Sequence, residues 1–117
     1  VLAIGAADVP RGCDSTDREI SYILGFSECR ISFAENKKQV EKILSKKAEM
    51  PLLATLVVYD AVSADVVSSA ASAGVKLVHF SELKAKGEAR RSANPKEIDD
   101  EIDKGQRDDL ATIIFTS

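Results

Sequence analysis

The chain has 117 residues, 44% of them hydrophobic and 30% charged, with six Gly and three Pro. That composition supports a packed core and excludes disordered, collagen-like and low-complexity chains. Sixteen Lys and Arg against nineteen Asp and Glu leave a net charge of -3, spread along the chain, which argues against a protein that grips nucleic-acid phosphates through a basic excess. A chain of this length makes one domain, or a piece of one, able to bury roughly 65% of its unfolded surface.

Cys13 and Cys29 are too few for a disulfide framework or a four-ligand zinc site, and both are expected to be thiols in a reducing compartment. The longest apolar runs, Leu52 to Tyr59 and Ala111 to Phe115, fall well short of the roughly 20 residues a membrane helix needs. Val1 to Ala7 carries no initiator Met and no basic leader. The apolar run Leu110 to Phe115 stops two residues later at Ser117. Both features read as a single α/β subdomain over 1–117, cut at both ends from something larger.

Thr16 and Glu19 have capping-box spacing, and Ile20, Ile23 and Leu24 share one helical face, so a helix is expected from Thr16 to near Ser27. Ile31 and Phe33 alternate with Arg30 and Ser32, a short strand with one buried face. Asn36 caps the next helix, with Val40, Ile43 and Leu44 as its buried stripe and Lys37, Lys38, Lys42 and Lys46 on its wet face. Pro51 stops it. Leu52 to Tyr59 reads as a strand covered on both faces. Ser63 to Ala73 reads as a helix, with Gly74 where a left-handed cap is needed. Lys76 to Phe80 is a further strand, and Ser81 caps a helix carrying Leu83. Lys84 to Asp109 is the most charged part and is expected to fray, apart from a short helix opened by Asn94 and Glu97 and closed by Gly105. Leu110 to Phe115 is expected to be the last strand. Strands and helices alternating through short connections predict an α/β fold, a mainly parallel sheet with helices on both faces in Rossmann-like layers.

Ligands of open α/β sheets bind beyond the carboxyl ends of strands. Asp60 follows the central strand, the place of the phosphoacceptor in a receiver domain. The chain offers Asp8 but no acidic pair after its first strand, and no Lys after its last. A turn or cap role for Asp60 is the commoner one. His79 is the only histidine, so two-histidine metal sites are excluded; a lone acid or base is the functional alternative, and a residue that packs or meets solvent is the expectation. Cys13 and Cys29 lack C-x-x-C spacing. No G-x-S-x-G, complete G-x-x-x-x-G-K-[ST] or G-x-G-x-x-G occurs. No catalytic or metal-binding residue is assigned on these grounds.

The run DDLATIIFTS, Asp108 to Ser117, resembles the strand that leads into the phosphate-binding loop of the AMP-forming acyl-CoA synthetases, whose loop continues rich in Ser, Thr and Gly to Pro-Lys-Gly. DVPRGCDSTDREISYILGFSECRI, Asp8 to Ile31, resembles the segment that these enzymes, the long-chain fatty acid branch above all, carry upstream of that loop. Between the two, NKKQVEKILSKKAEMPLLATLVVYD fits the family's helix and buried strand. Asp60 to Asp109 is only loosely similar.

The resemblance implies a fragment of the AMP-binding domain of a long-chain fatty acid–CoA ligase. With ATP and Mg2+ the parent enzyme would convert a fatty acid carboxylate to an acyl-adenylate, and the thiol of CoA would then displace AMP. Thr116 and Ser117 would open the nucleotide-binding loop. The implied location is the cytoplasm, or the periphery of the inner membrane face. A micromolar ATP site needs about 8 kcal/mol and a neutral hydrogen bond nets roughly 0.5 to 1.5 kcal/mol, so the chain alone is expected to hold no cofactor and to be inactive. Its expected partners are fatty acid through the parent enzyme, the rest of that enzyme, no nucleic acid, and further copies of itself through exposed apolar surface. The alternative is a free-standing receiver-like or interaction module that uses Asp60.

Overall fold

The computed structural model describes residues 1–12 and 14–116. They divide into two compact units, Gly12–Leu83 and, separately, Val1–Arg11 with the chain from Lys84 onward. No described helix is long and apolar enough to cross a membrane.

In the first unit, helix α1 (Asp17–Phe26) starts at the expected capping box. The Thr16 hydroxyl accepts from the Glu19 N–H at 3.3 Å, and the Glu19 carboxylate accepts from the Thr16 N–H at 2.6 Å. The helix ends in a Schellman motif: the Cys29 N–H donates to the Leu24 carbonyl at 3.0 Å and the Glu28 N–H to Gly25 at 3.1 Å. Strand β1 (Ile31–Ala34), helix α2 (Lys37–Ser45), strand β2 (Thr55–Val58), helix α3 (Ala64–Ser72) and strand β3 (Lys76–His79) follow. The three strands form one parallel sheet in the order β1-β2-β3, with Phe33, Val57 and Val78 in register. The unit is thus a pair of βαβ crossovers, the expected α/β class.

Asn36 caps α2 as predicted, its Oδ1 accepting from the Gln39 N–H at 3.1 Å. A 3-10 turn (Lys47–Glu49) extends it. Pro51 then sits in a turn closed by the Leu53 N–H on the Met50 carbonyl at 3.1 Å, so β2 begins at Thr55 rather than at Leu52. Gly74, at φ 72, supplies the left-handed residue after α3. Its N–H donates to Ala71 and that of Val75 to Ala70, at 3.0 and 2.9 Å.

The core joins Ile20 and Leu24 of α1, Val40 and Ile43 of α2, Leu56 and Val58 of β2, and Met50, Leu53, Val66 and Val75. Each such side chain contributes about 1.5 to 3 kcal/mol on leaving water. The expected face of β1 is reversed: Ser32 and Ala34 are buried, while Ile31 and Phe33 are 58% and 43% exposed. α2 packs on this strand, and the small side chains of Ser32 and Ala34 leave room for it, which sends the two larger residues to the opposite face. Lys42 also departs from its expected wet position, with Nζ donating to the Ser15 carbonyl at 2.9 Å.

Helix α4 (Phe80–Ala93) follows β3 without a break. The segment expected to fray is therefore largely helical, although α4 has no buried residue. In the second unit, helix α5 (Glu97–Ile102) follows it. The predicted capping box at Asn94 does not form, because the Glu97 carboxylate turns to Arg90 instead, accepting from Nε at 2.7 Å. The 3-10 turn at Leu2–Ile4 packs near α5.

The predicted last strand, Leu110 to Phe115, is reduced to one parallel bridge between Asp8 and Thr112. The Asp8 N–H donates to Ala111 at 3.1 Å and the Ile113 N–H to Asp8 at 2.9 Å. The next rung would require an N–H from residue 10, and Pro10 has none, so the ladder stops.

Candidate functional site

The carboxyl edge of the sheet gathers several of the residues singled out in the sequence. Past β1 come Glu35 and Asn36, past β2 Tyr59 and Asp60, and past β3 Phe80 and Ser81. The Asp60 N–H donates to the Glu35 carbonyl at 2.9 Å, and Asp60 is exposed in the turn ahead of α3, in keeping with a turn role. Tyr59 stands between Phe33 and Phe80, with ring centroids at 6.2 and 4.8 Å. Lys37 approaches Asp65 at 3.6 Å, linking the first turns of α2 and α3. The Asp65 carboxyl is held below its ordinary value, first by the Ser63 hydroxyl, with Lys37 a smaller cause.

His79 is half-buried at the end of β3, as expected of a residue that packs or meets solvent, and its ring is engaged locally. Its Nδ1 lies 2.7 Å from the Ser81 hydroxyl and accepts the Ser81 N–H at 3.2 Å. An N–H donated to Nδ1 requires a lone pair there, so the pattern assigns the ring proton of neutral His79 to Nε2. Ser81 thus spends its hydroxyl on His79 instead of capping α4, and the imidazole serves the helix start in its place. No sequence pattern in common use marks a histidine two residues before a serine as a cap.

Cys29 sits at the turn after α1, and burial pushes its thiol up, which keeps it protonated and a poor nucleophile. Cys13 lies outside the described residues. Among the described residues no three His, Cys, Asp or Glu side chains are arranged to hold a metal ion.

The two residues carried by the resemblance are at the end of the second unit. Beyond the Asp8–Thr112 bridge, Ile113 and Phe115 are half-buried, and Ile114 and Thr116 exposed, an alternation of extended chain. Thr116 therefore offers its hydroxyl to solvent at the end of this run. Ser117 lies outside the described residues. Thr116 and Asp60 fall in different units. The described set does not fit ATP with a metal ion by itself: it presents one exposed hydroxyl on the implied loop and no carboxylate cluster, where a triphosphate calls for several donors.

One surface feature was not singled out in the sequence. A cleft of about 430 Å3 lies along α1, lined by Arg18, Ser21, Tyr22, Gly25, Phe26 and Glu49. The i, i+4, i+8 spacing of Arg18, Tyr22 and Phe26 was the available signal.

Comparison with known proteins gives one match. The family described as AMP-binding enzyme matches residues 1–117, the whole chain. No curated protein and no solved structure matches.

Proposed function

The chain belongs to the AMP-binding enzyme family, and from that premise we propose that it is a segment of an ATP-dependent long-chain fatty acid–CoA ligase, inert by itself. The observation that carries the adenylate-forming reading is the family match over the full chain. The fatty acid branch rests on the resemblance of Asp8 to Ile31. Thr116 and Ser117 open the nucleotide-binding loop in this reading, and the exposure of Thr116 at the end of the extended run supports it. In the whole enzyme ATP and Mg2+ supply the leaving pyrophosphate and its charge neutralisation, and CoA the accepting thiol. Thr116 contributes a hydroxyl and an N–H to that neutralisation, worth far less than the full site requires. The fatty acid and the remainder of the ligase are the partners, in the cytoplasm or at the periphery of a membrane.

The match spans Asp60, which supports a turn role for this residue over that of a phosphoacceptor. Pyrophosphate exchange tests the proposal, using the whole protein encoded by the gene that contains this segment and a panel of carboxylates. Exchange that depends on a long-chain fatty acid is expected, with kcat/KM for ATP falling about tenfold or more in Thr116→Ala. Exchange with aryl or amino acids alone would replace the fatty acid branch by another adenylate-forming activity. Labelling of the chain by acetyl phosphate that disappears in Asp60→Asn would overturn the ligase reading in favour of the receiver.

A further inference from the structure

We propose that the first turn of α4 is a proton-sensitive joint, held by neutral His79 and released when the imidazole takes up a proton. β3 runs into α4 with no connecting loop, so His79 is at once the last residue of the strand and the entry to the helix. The Ser81 N–H donates to Nδ1 at 3.2 Å, and the Ser81 hydroxyl lies 2.7 Å from the same nitrogen. The first N–H groups of a helix have no acceptor within it, and the Nδ1 lone pair supplies one. α4 has no buried residue, so packing does not stand in for this contact.

Proton uptake acts on the two contacts differently. Imidazolium carries a hydrogen on both nitrogens and accepts at neither. The hydroxyl contact survives by reversing, with the Nδ1 hydrogen donated to the Ser81 oxygen. The amide contact cannot reverse, and the Ser81 N–H loses its acceptor. A positive ring also meets the positive end of the helix dipole. Both effects have one sign: the turn is held while the ring is neutral and loosens as pH falls and the ring charges. Imidazole ordinarily makes that change near neutral pH. The turn that responds, 80–83, leads into Lys84, where the second unit resumes. Other titrating groups lie on the elements packed beside β3. They are Tyr59 and Asp60 after β2, whose Val58 is level with His79, and Asp65 on α3, engaged by Ser63 and Lys37. α4 adds Glu82 in its first turn and Lys84 beyond it.

His79 is the one histidine of the 117-residue chain, so its ring resonances identify themselves in an NMR titration. Hydrogen exchange on the same samples gives the protection factor of the Ser81 amide. Ring nitrogen shifts are expected to place the proton on Nε2 at high pH, and Ser81 protection to fall about fivefold or more in step with the ring's titration. His79→Asn is the control, because an Asn carbonyl accepts from the N–H two residues on without titrating. It is expected to keep Ser81 protected over the same range, and the titration of the parent chain decides the question even if that variant fails to fold. Ser81 protection indifferent to the charge of the ring overturns the proposal, as does a neutral ring with its proton on Nδ1. A step that persists in His79→Asn also overturns it and assigns the effect to Asp60, Asp65 or Glu82.

Discussion

Gly25 lies so close to the Glu49 carbonyl that a Cβ on residue 25 would stand 2.6 Å from that oxygen. The contact brings α1 and the 3-10 turn at Lys47–Glu49 together without an intervening side chain, just above the buried Met50. Because the obstructing atom is backbone, it cannot rotate away. Gly25→Ala should destabilise the chain by about 1 to 3 kcal/mol despite the better helix propensity of Ala. Urea unfolding measures this directly, and an unchanged or higher midpoint would show that the two elements can separate freely.

At the end of the same helix Glu28 holds φ 53, the left-handed place in a Schellman motif that Gly74 fills after α3. A side chain there costs about 1 to 2 kcal/mol of backbone strain, and replacing it by Gly relieves that strain while giving back part of the gain as unfolded-state entropy. Glu28→Gly should therefore stabilise by about 0.5 to 1 kcal/mol, whereas Gly74→Glu should destabilise. A fall in the thermal midpoint of Glu28→Gly would contradict the motif as described.

The capping box makes stability depend on acid. The Glu19 carboxyl is held below its ordinary value first by the Thr16 N–H, then by the Thr16 hydroxyl. A depressed folded-state value means stability that is present above the unfolded carboxyl pKa of about 4.3 and lost as pH falls through the lower folded value. Between about pH 5 and pH 3, Glu19→Gln should lose stability less steeply than the parent chain. Matching slopes in the two proteins would show that the carboxylate has no preferential role in the folded state.

Every buried hydrophobic side chain among the described residues, from Ile20 to Val78, falls inside Gly12–Leu83. A polypeptide covering that unit should keep a cooperative thermal transition within a few degrees of the whole chain, since the burial of apolar surface does most to drive folding. Circular dichroism would detect the opposite result, a broad melt without a baseline, which would mean that the core depends on residues outside the unit.

Local chemistry decided much of this protein, and the sequence alone was sufficient for it. Thr16 with Glu19, Asn36 and Gly74 act on backbone groups within a few residues of themselves, so their caps are readable without knowing what surrounds them. The alternation of strands and helices likewise led to the parallel α/β class, and DDLATIIFTS led to the AMP-binding family. Tertiary structure decided the rest, because each remaining feature depends on a partner distant in sequence. A period of two locates β1 but not its inner face; the approach of α2 selected Ser32 and Ala34 over Ile31 and Phe33. The apolar run at Leu110 to Phe115 met only Asp8, and Pro10 ended the pairing after one rung. Thr116 is legible as a candidate only through resemblance, since a phosphate loop is defined by donors converging from several residues. The cleft beside Gly25 exists only because the turn after α2 folds back onto α1.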